Sequence, residues 1–274
     1  ANNYQRLADE SRLMRQYTVR LDHRLSAKNS LFGRYAYLRH ATDNGIGQGG
    51  IYPDDVVAKR DDNMRNRHFV LSDTHTFTPT WLNEFRLGLS RSLFFFAVRS
   101  SGGGWPQKLG LPANFPPETF PQVSNGLPSF YTGTVGWRGS LYWQFYDAVT
   151  KIHGNHALKF GADHRLIHAH NRQFANPSGS FSFAASLTGD PQRPAGTGSG
   201  FATFLLGAVS SASATTHVGE SFRAYSTSFF FQDDWRVTHR FTLNLGLRYD
   251  FQQKPVQPHN GISNFDPFGT DPNN

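Results

Sequence analysis

The 274-residue sequence contains no cysteine, which excludes disulfide bonds, thiolate metal sites and cysteine nucleophiles. It also contains no run of about 18 apolar residues, and this excludes a transmembrane helix. Residues 1–15 are polar and charged, so we expect no signal peptide within them. A secreted disulfide scaffold and a helical membrane protein are therefore both ruled out.

Aromatic residues, glycine and proline are abundant instead. The chain has 15% aromatic residues, 25 of them phenylalanine, together with 26 glycines and 15 prolines. A soluble core usually relies more on aliphatic side chains, whereas aromatic residues favour strands. The composition therefore indicates a β-protein.

The formal charge of +7 at pH 7 raises the question of whether the protein binds nucleic acid. A nucleic-acid surface usually carries its basic residues in one cluster, but here they are scattered along predicted strands beside acids. The basic residues are Arg20, Arg24, Arg86, Lys159, Arg165 and Arg248. The acids beside them are Asp22, Glu84, Asp163 and Asp250. This interleaving favours the hydrated inner wall of a barrel, and we expect no nucleic-acid partner.

Residues 241–251 give the clearest strand. Leucines and aromatic residues occupy every second position, with the leucines in the middle and the aromatic residues at the two ends. Polar residues and Gly246 occupy the other face. This profile predicts a stripe that faces lipid, with an aromatic girdle at each interface.

The same pattern predicts four long hairpins. Residues 223–237 form the first strand of the last hairpin, although Phe230 breaks its alternation, and residues 238–240 form the turn. The other pairs are 17–25 with 31–38, 67–77 with 82–96, and 141–152 with 157–168. Shorter strands around Phe181, Phe183 and residues 209–216 would raise the total from about eight to about ten. Residues 200–207 suit either a short helix or an apolar plug of the loop.

Long loops rich in glycine and proline join these hairpins. They comprise residues 41–66, 98–128 and 171–221. Short turns that alternate with long loops are typical of outer-membrane barrels, whose turns face the periplasm and whose loops face outward. We therefore predict an all-β, antiparallel up-and-down transmembrane barrel, with ligand contacts in the three loops.

Several segments resemble one known family. Residues 230–238 and 241–250 look like the barrel signature of TonB-dependent receptors, and more narrowly of the Oar-like receptors with a carboxypeptidase-regulatory-like domain. Residues 29–35, 156–163 and 200–207 are similar to other segments of the same group. The positions that carry the signature are Gln232, Asp233, Asp234, Trp235, Arg236, Leu243, Asn244, Gly246, Arg248 and Tyr249.

The resemblance implies a 22-stranded barrel with an internal plug, driven from the inner membrane through TonB. Eight to ten strands cannot build such a wall, so we expect residues 1–274 to be one incomplete part of a larger barrel. We see no plug, TonB box or regulatory-like domain in the sequence. The implied role is uptake or export of a ligand across the outer membrane, with outer-membrane lipid and the TonB complex as partners.

Two other functions remain open. A chain of eight or ten strands could close by itself as a passive porin or adhesin-like barrel. A secreted carbohydrate-binding β-sandwich would also show alternating strands, although these are usually shorter than residues 241–251. An incomplete barrel leaves two unpaired strand edges, so we also expect the isolated chain to aggregate or to need its missing strands.

Candidate chemical sites are few, and we predict no catalytic residue, cofactor or metal. Five histidines cluster in the sequence, but opposite ends of a strand separate them. They are His153, His156, His164, His168 and His170. Adjacent carboxylates at 54–55, 61–62 and 233–234 point to opposite faces of a strand and cannot share a proton. The tryptophans expected near strand ends, as interfacial anchors, are Trp81, Trp137, Trp143 and Trp235.

Overall fold

The structure, a computed structural model, describes residues 10–43, 60–116, 118–125, 134–193, 195–215 and 219–258. The strands are β1 (Ser11–Ser26), β2 (Asn29–Asp43), β3 (Arg60–Thr78), β4 (Trp81–Val98), β5 (Gln122–Ser124), β6 (Thr134–His153), β7 (His156–Ala175), β8 (Ser180–Ser182), β9 (Ser211–Ser213), β10 (Glu220–Thr238) and β11 (Phe241–Gln252). The helices are α1 (Trp105–Lys108), α2 (Gly200–Leu205) and a 3-10 turn at Ala185–Thr188. No helix among these residues is long and apolar enough to span a membrane.

Eight long strands form one antiparallel sheet in the order β1-β2-β3-β4-β6-β7-β10-β11. Each of the four predicted hairpins is present, and two-residue turns close them. The prediction of an all-β, up-and-down antiparallel architecture is therefore confirmed. Within the described residues the sheet does not close, since β1 and β11 each pair on one side only. That open arc is consistent with a partial barrel.

The register separates two faces of this sheet. One side of the sheet carries an apolar cross-strand row formed by Leu247, Phe231 and Phe160. The adjacent cross-strand row lies on the opposite side and is formed by Arg248, Phe230 and Gly161. We call these the apolar face and the polar face. Several of the most buried side chains in the sheet lie on the polar face: Ser72, Ala148, Asp163 and Ser228. The polar face is therefore the concave, inner side of the arc.

The strands are longer than the sequence pattern predicts. The first residues of the predicted loop 171–221 belong to β7, which continues to Ala175. Both ends of the predicted loop 41–66 belong to strands, β2 and β3. With 20 residues each, β6 and β7 rise roughly 50 Å at the usual tilt, about twice the apolar band of a membrane barrel. The excess projects beyond the band at the long-loop end.

The loops after β4 and β7 fold together at that end. In a second, three-stranded sheet, β5 pairs in parallel with β8, and β8 pairs antiparallel with β9. The predicted short strands are thus confirmed around Phe181 and in part of 209–216. Residues 200–205 form α2, so the helix interpretation of that segment is confirmed. We call the described residues within 99–125 and 176–215 the loop layer.

Candidate functional site

Ion pairs along single strands line the polar face. Each joins an arginine to an acid two residues away, so the two side chains lie on the same face. The pairs are Arg20–Asp22 at 2.6 Å, Arg86–Glu84 at 3.3 Å, Arg165–Asp163 at 2.7 Å and Arg248–Asp250 at 2.9 Å. The prediction that basic and acidic residues interleave on one face is confirmed.

Further bonds join these pairs between strands. Lys159 on β7 donates to Glu84 on β4 at 3.2 Å. Asp163 accepts from Gln144 at 3.1 Å, and Arg248 donates to Ser228 at 2.8 Å. Charge-assisted bonds of this kind fix side-chain positions more firmly than neutral ones. The inner wall from β4 to β11 is therefore a hydrogen-bonded polar lining.

A depression of about 370 Å³ opens on this lining near β11. Two cationic side chains and two aromatic rings stand around it. It is lined by Tyr146, Lys159, Phe230, Gln232, Gly246, Leu247 and Arg248. Such a surface suits contact with water and with polar or anionic groups.

The ten signature positions do not form one site. They divide between the two faces of the β10–β11 hairpin according to the register. Gln232, Asp234, Asn244, Gly246 and Arg248 lie on the polar face. Asp233, Trp235, Leu243 and Tyr249 lie on the apolar face. Arg236 is exposed near the turn, and its backbone N–H donates to the carbonyl of Asn155 at 2.8 Å.

The side chains of His156, Asp233 and Trp235 contact one another at the short-turn ends of β7 and β10. His156 Nδ1 lies 2.7 Å from a carboxylate oxygen of Asp233, whose side chain is only 12% exposed. The His156 ring also stacks on Trp235, with ring centroids 5.2 Å apart. Asp233 occupies an apolar-side position in the alternation of residues 223–237, but the alternation does not identify His156 as its partner. A signal was present, since His156 and Asp233 are polar residues at apolar-side positions near the ends of their strands, and Trp235 lies next on the same side.

The clustered histidines lie apart along the β6–β7 hairpin. His153 and His156 face each other at the β6–β7 turn, whereas His164 bonds to Thr227 and His170 bonds to Ser221 farther up. Among the described residues, no group of three histidine or acidic side chains could hold a metal ion. Of the adjacent acid pairs, Asp54 and Asp55 lie outside the described residues.

The tryptophans take different heights. Trp81 and Trp235 lie at the short-turn end, where Lys151 Nζ stands 4.6 Å from the Trp81 ring. Trp137 lies toward the loop end of β6. The expectation that Trp143 is near a strand end is wrong, because β6 starts at Thr134 and Trp143 lies at its middle. Counted from the turn, that position is still roughly 25 Å up, at the far edge of the apolar band.

The loop layer has a small core of its own. Ser178 is fully buried, accepts from the N–H of Thr119 at 2.9 Å and donates to the carbonyl of Pro116 at 2.9 Å. Phe183 packs edge-on against Phe204 of α2 at 5.2 Å. The described parts of two loops predicted to contact ligand, 98–128 and 171–221, therefore form a folded surface at the loop end of the sheet. Residues 44–59 of the third predicted loop, 41–66, lie outside the described residues.

Comparison with known proteins gives one family and one fold. The family described as "Outer membrane beta barrel domain" matches residues 1–274. A solved structure of P. aeruginosa FpvA, bound to a heterologous pyoverdine and iron, aligns with a TM-score of 0.51 and 11% identity. The alignment covers 90% of this chain and 32% of that one, so this chain spans about a third of its relative. No curated protein matches the sequence.

Proposed function

Because the chain belongs to the outer membrane beta barrel domain family and lies in the bacterial outer membrane, we propose that it is the barrel segment of a TonB-dependent receptor. The receptor would take up or export a ligand that its outer loops capture. The narrower assignment to Oar-like receptors rests on the signature segments of β10 and β11. The TonB complex would act through parts of the receptor other than this segment.

The folded loop layer carries this proposal. A passive channel needs no folded structure at its mouth, whereas a receptor needs a rigid surface that positions ligand contacts. Here the buried hydrogen bonds of Ser178 and the Phe183–Phe204 contact hold two loops in one arrangement. The likeness to FpvA, which was solved with a bound pyoverdine–iron complex, supports a receptor of this general fold.

We propose no enzymatic activity. Asp22, Glu84, Asp163 and Asp250 are each bonded to a basic side chain on the polar face. Carboxylates held in this way suit a hydrated wall better than general acid–base work, which needs a group free to exchange a proton.

The passive porin remains the second candidate, because a polar inner face would also serve a water-filled channel. Reconstitution of the protein in planar bilayers tests it. A steady open conductance without any energy source would favour the porin and contradict the receptor proposal.

Uptake in cells tests the receptor directly. Deletion of the gene and deletion of the TonB complex should abolish accumulation of the same radiolabelled solute from a panel that begins with ferric pyoverdine. A solute that needs this protein but enters equally well without the TonB complex would overturn the energy coupling.

A further inference from the structure

Five arginines of strands β1–β4 lie on the apolar face, where a membrane barrel normally meets lipid. The register places Arg15 opposite Arg39 and Arg39 opposite Arg65, in one row across β1, β2 and β3. In the next row, Arg67 lies opposite Arg91 on β4. Like charges directly opposite each other on a sheet are destabilising. The face therefore carries three such pairs and needs an anion to offset them.

The described residues do not supply that anion. Arg65 Nε donates to the neutral side chain of Asn63 at 3.3 Å, and none of the five arginines forms an ion pair within the described part of the chain. Asp43 and Asp61, higher on the same face, lie 3.0 and 3.9 Å from Arg99. Arg39 Nε is buried and bonds to no described group. On the polar face, by contrast, Arg20, Arg86, Arg165 and Arg248 each hold a carboxylate.

The height of the cluster identifies what surrounds it. Arg39 lies about ten residues from the start of β2 at Asn29, which at about 3.3 Å per residue and a tilt near 40° is roughly 25 Å from the short-turn end. The apolar band of a membrane barrel is also about 25 Å tall. The arginines therefore stand at the outer edge of the hydrocarbon, at the level of the outer-leaflet headgroups.

Two tyrosines mark the same interface. Tyr37 lies opposite Arg67, and Tyr17 lies opposite Tyr37, so the tyrosines continue the lower arginine row. Their rings stack with centroids 6.2 Å apart. Tyrosines of this kind concentrate at the level where hydrocarbon meets headgroup. A charged side chain deeper in the lipid would be costly, but one at this level is tolerated.

We propose that Arg15, Arg39, Arg65, Arg67 and Arg91 bind the phosphate groups of lipid A, the membrane anchor of outer-leaflet lipopolysaccharide. The outer leaflet of a bacterial outer membrane is built largely of this glycolipid, which carries phosphates at the hydrocarbon boundary. Guanidinium groups bond phosphate oxygens in a two-pronged geometry. The phosphates bring the opposed arginines together and occupy the unused Nε donor of Arg39. This binding is independent of the proposed transport.

Native mass spectrometry of the intact protein in detergent tests the site, with bisphosphorylated lipid A as the probe. Removing the upper pair in R39Q/R65Q should weaken lipid A binding roughly thirtyfold, because each basic residue near an anionic surface is worth about fivefold. R39K/R65K keeps the charge but loses the two-pronged geometry, so its lipid A binding should lie between that of R39Q/R65Q and that of the wild type. R24Q/R240Q removes two exposed arginines near the short turns and should bind as the wild type does.

Two competitors separate lipid A from other anions. Phosphatidylglycerol and inorganic phosphate should each displace lipid A poorly; displacement by either at equal concentration would overturn the assigned occupant. Equal binding by R39Q/R65Q and wild type would overturn the site itself. Heat-modifiable migration in gels verifies that each variant is folded. If R39Q/R65Q does not fold, R67Q/R91Q tests the lower pair in the same way.

Discussion

Lys159 reaches over an intervening strand to bond Glu84, with its Nζ 3.2 Å from the carboxylate. Lys159 belongs to β7 and Glu84 to β4, and β6 runs between them. The register places Ala148 of β6 beside both Glu84 and Gly161, and its small side chain leaves room for the contact. One ion pair therefore ties three strands of the inner wall.

This pair should contribute measurably to stability. In a double-mutant cycle of E84Q and K159M, we expect a coupling free energy of about 1 kcal/mol, because both side chains are only partly exposed. The coupling free energy is obtained from urea unfolding midpoints, with heat-modifiable migration in detergent as the readout of the folded fraction. Purely additive effects of the two substitutions would show that the contact contributes nothing.

Gly161 lies where the neighbouring strands leave no room for a side chain. A Cβ there would lie 2.8 Å from Phe230 Cζ and 2.9 Å from Ala148 Cα. We expect G161A to lower the free energy of unfolding by roughly 1–3 kcal/mol, as overpacking usually does. Gly33, on β2, provides the control, because a Cβ there meets nothing within 4 Å. The same urea assay should leave G33A near the wild type, and a G161A variant as stable as G33A would contradict the prediction.

Loss of the His156 ring should leave Asp233 as a nearly buried, unpaired acid. We expect H156A to destabilise the folded state by roughly 1–3 kcal/mol, the cost of an unsatisfied buried polar group. His153 lies directly opposite on β6 but is exposed, so H153A is the matched control. Equal unfolding midpoints for the two variants would mean that the His156–Asp233 contact does not stabilise the folded state.

The loop layer should loosen without the sheet when Ser178 is changed. S178A leaves the N–H of Thr119 and the carbonyl of Pro116 without their partner. We expect faster hydrogen exchange and faster proteolysis in residues 99–125 and 176–215, with unchanged heat-modifiable migration. Ser186 is exposed, and S186A should match the wild type. Loss of the folded gel band in S178A would show that the layer and the sheet form one cooperative unit.

Periodicity predicted the sheet well because alternation directly reports which face each residue occupies. The strand predicted at residues 241–251 agrees closely with β11. In the sequence, Phe230 shows only as an interruption of the alternation in residues 223–237. In the structure it lies on the polar face, where its ring stacks on Tyr146 with centroids 6.0 Å apart and fills the space above Gly161. A glycine on one strand thus explains an aromatic residue on its neighbour, which a single strand cannot show.

The loop layer was less predictable. Its strands have three residues each, too few for a period, and β5 and β8 pair in parallel across a long sequence separation. The His156–Asp233 contact also joins residues far apart in sequence. Pattern reveals the face and the approximate height of a residue, but the partner depends on the register between strands.

The projection of β6 and β7 sets where an incoming solute first meets the protein. These strands carry the loop layer roughly 25 Å beyond the apolar band. At physiological ionic strength, electrostatic fields decay over about 8 Å. The loop layer therefore stands several decay lengths outside the negative potential of the leaflet. An anionic solute can therefore contact the loop layer without electrostatic repulsion from the lipid surface.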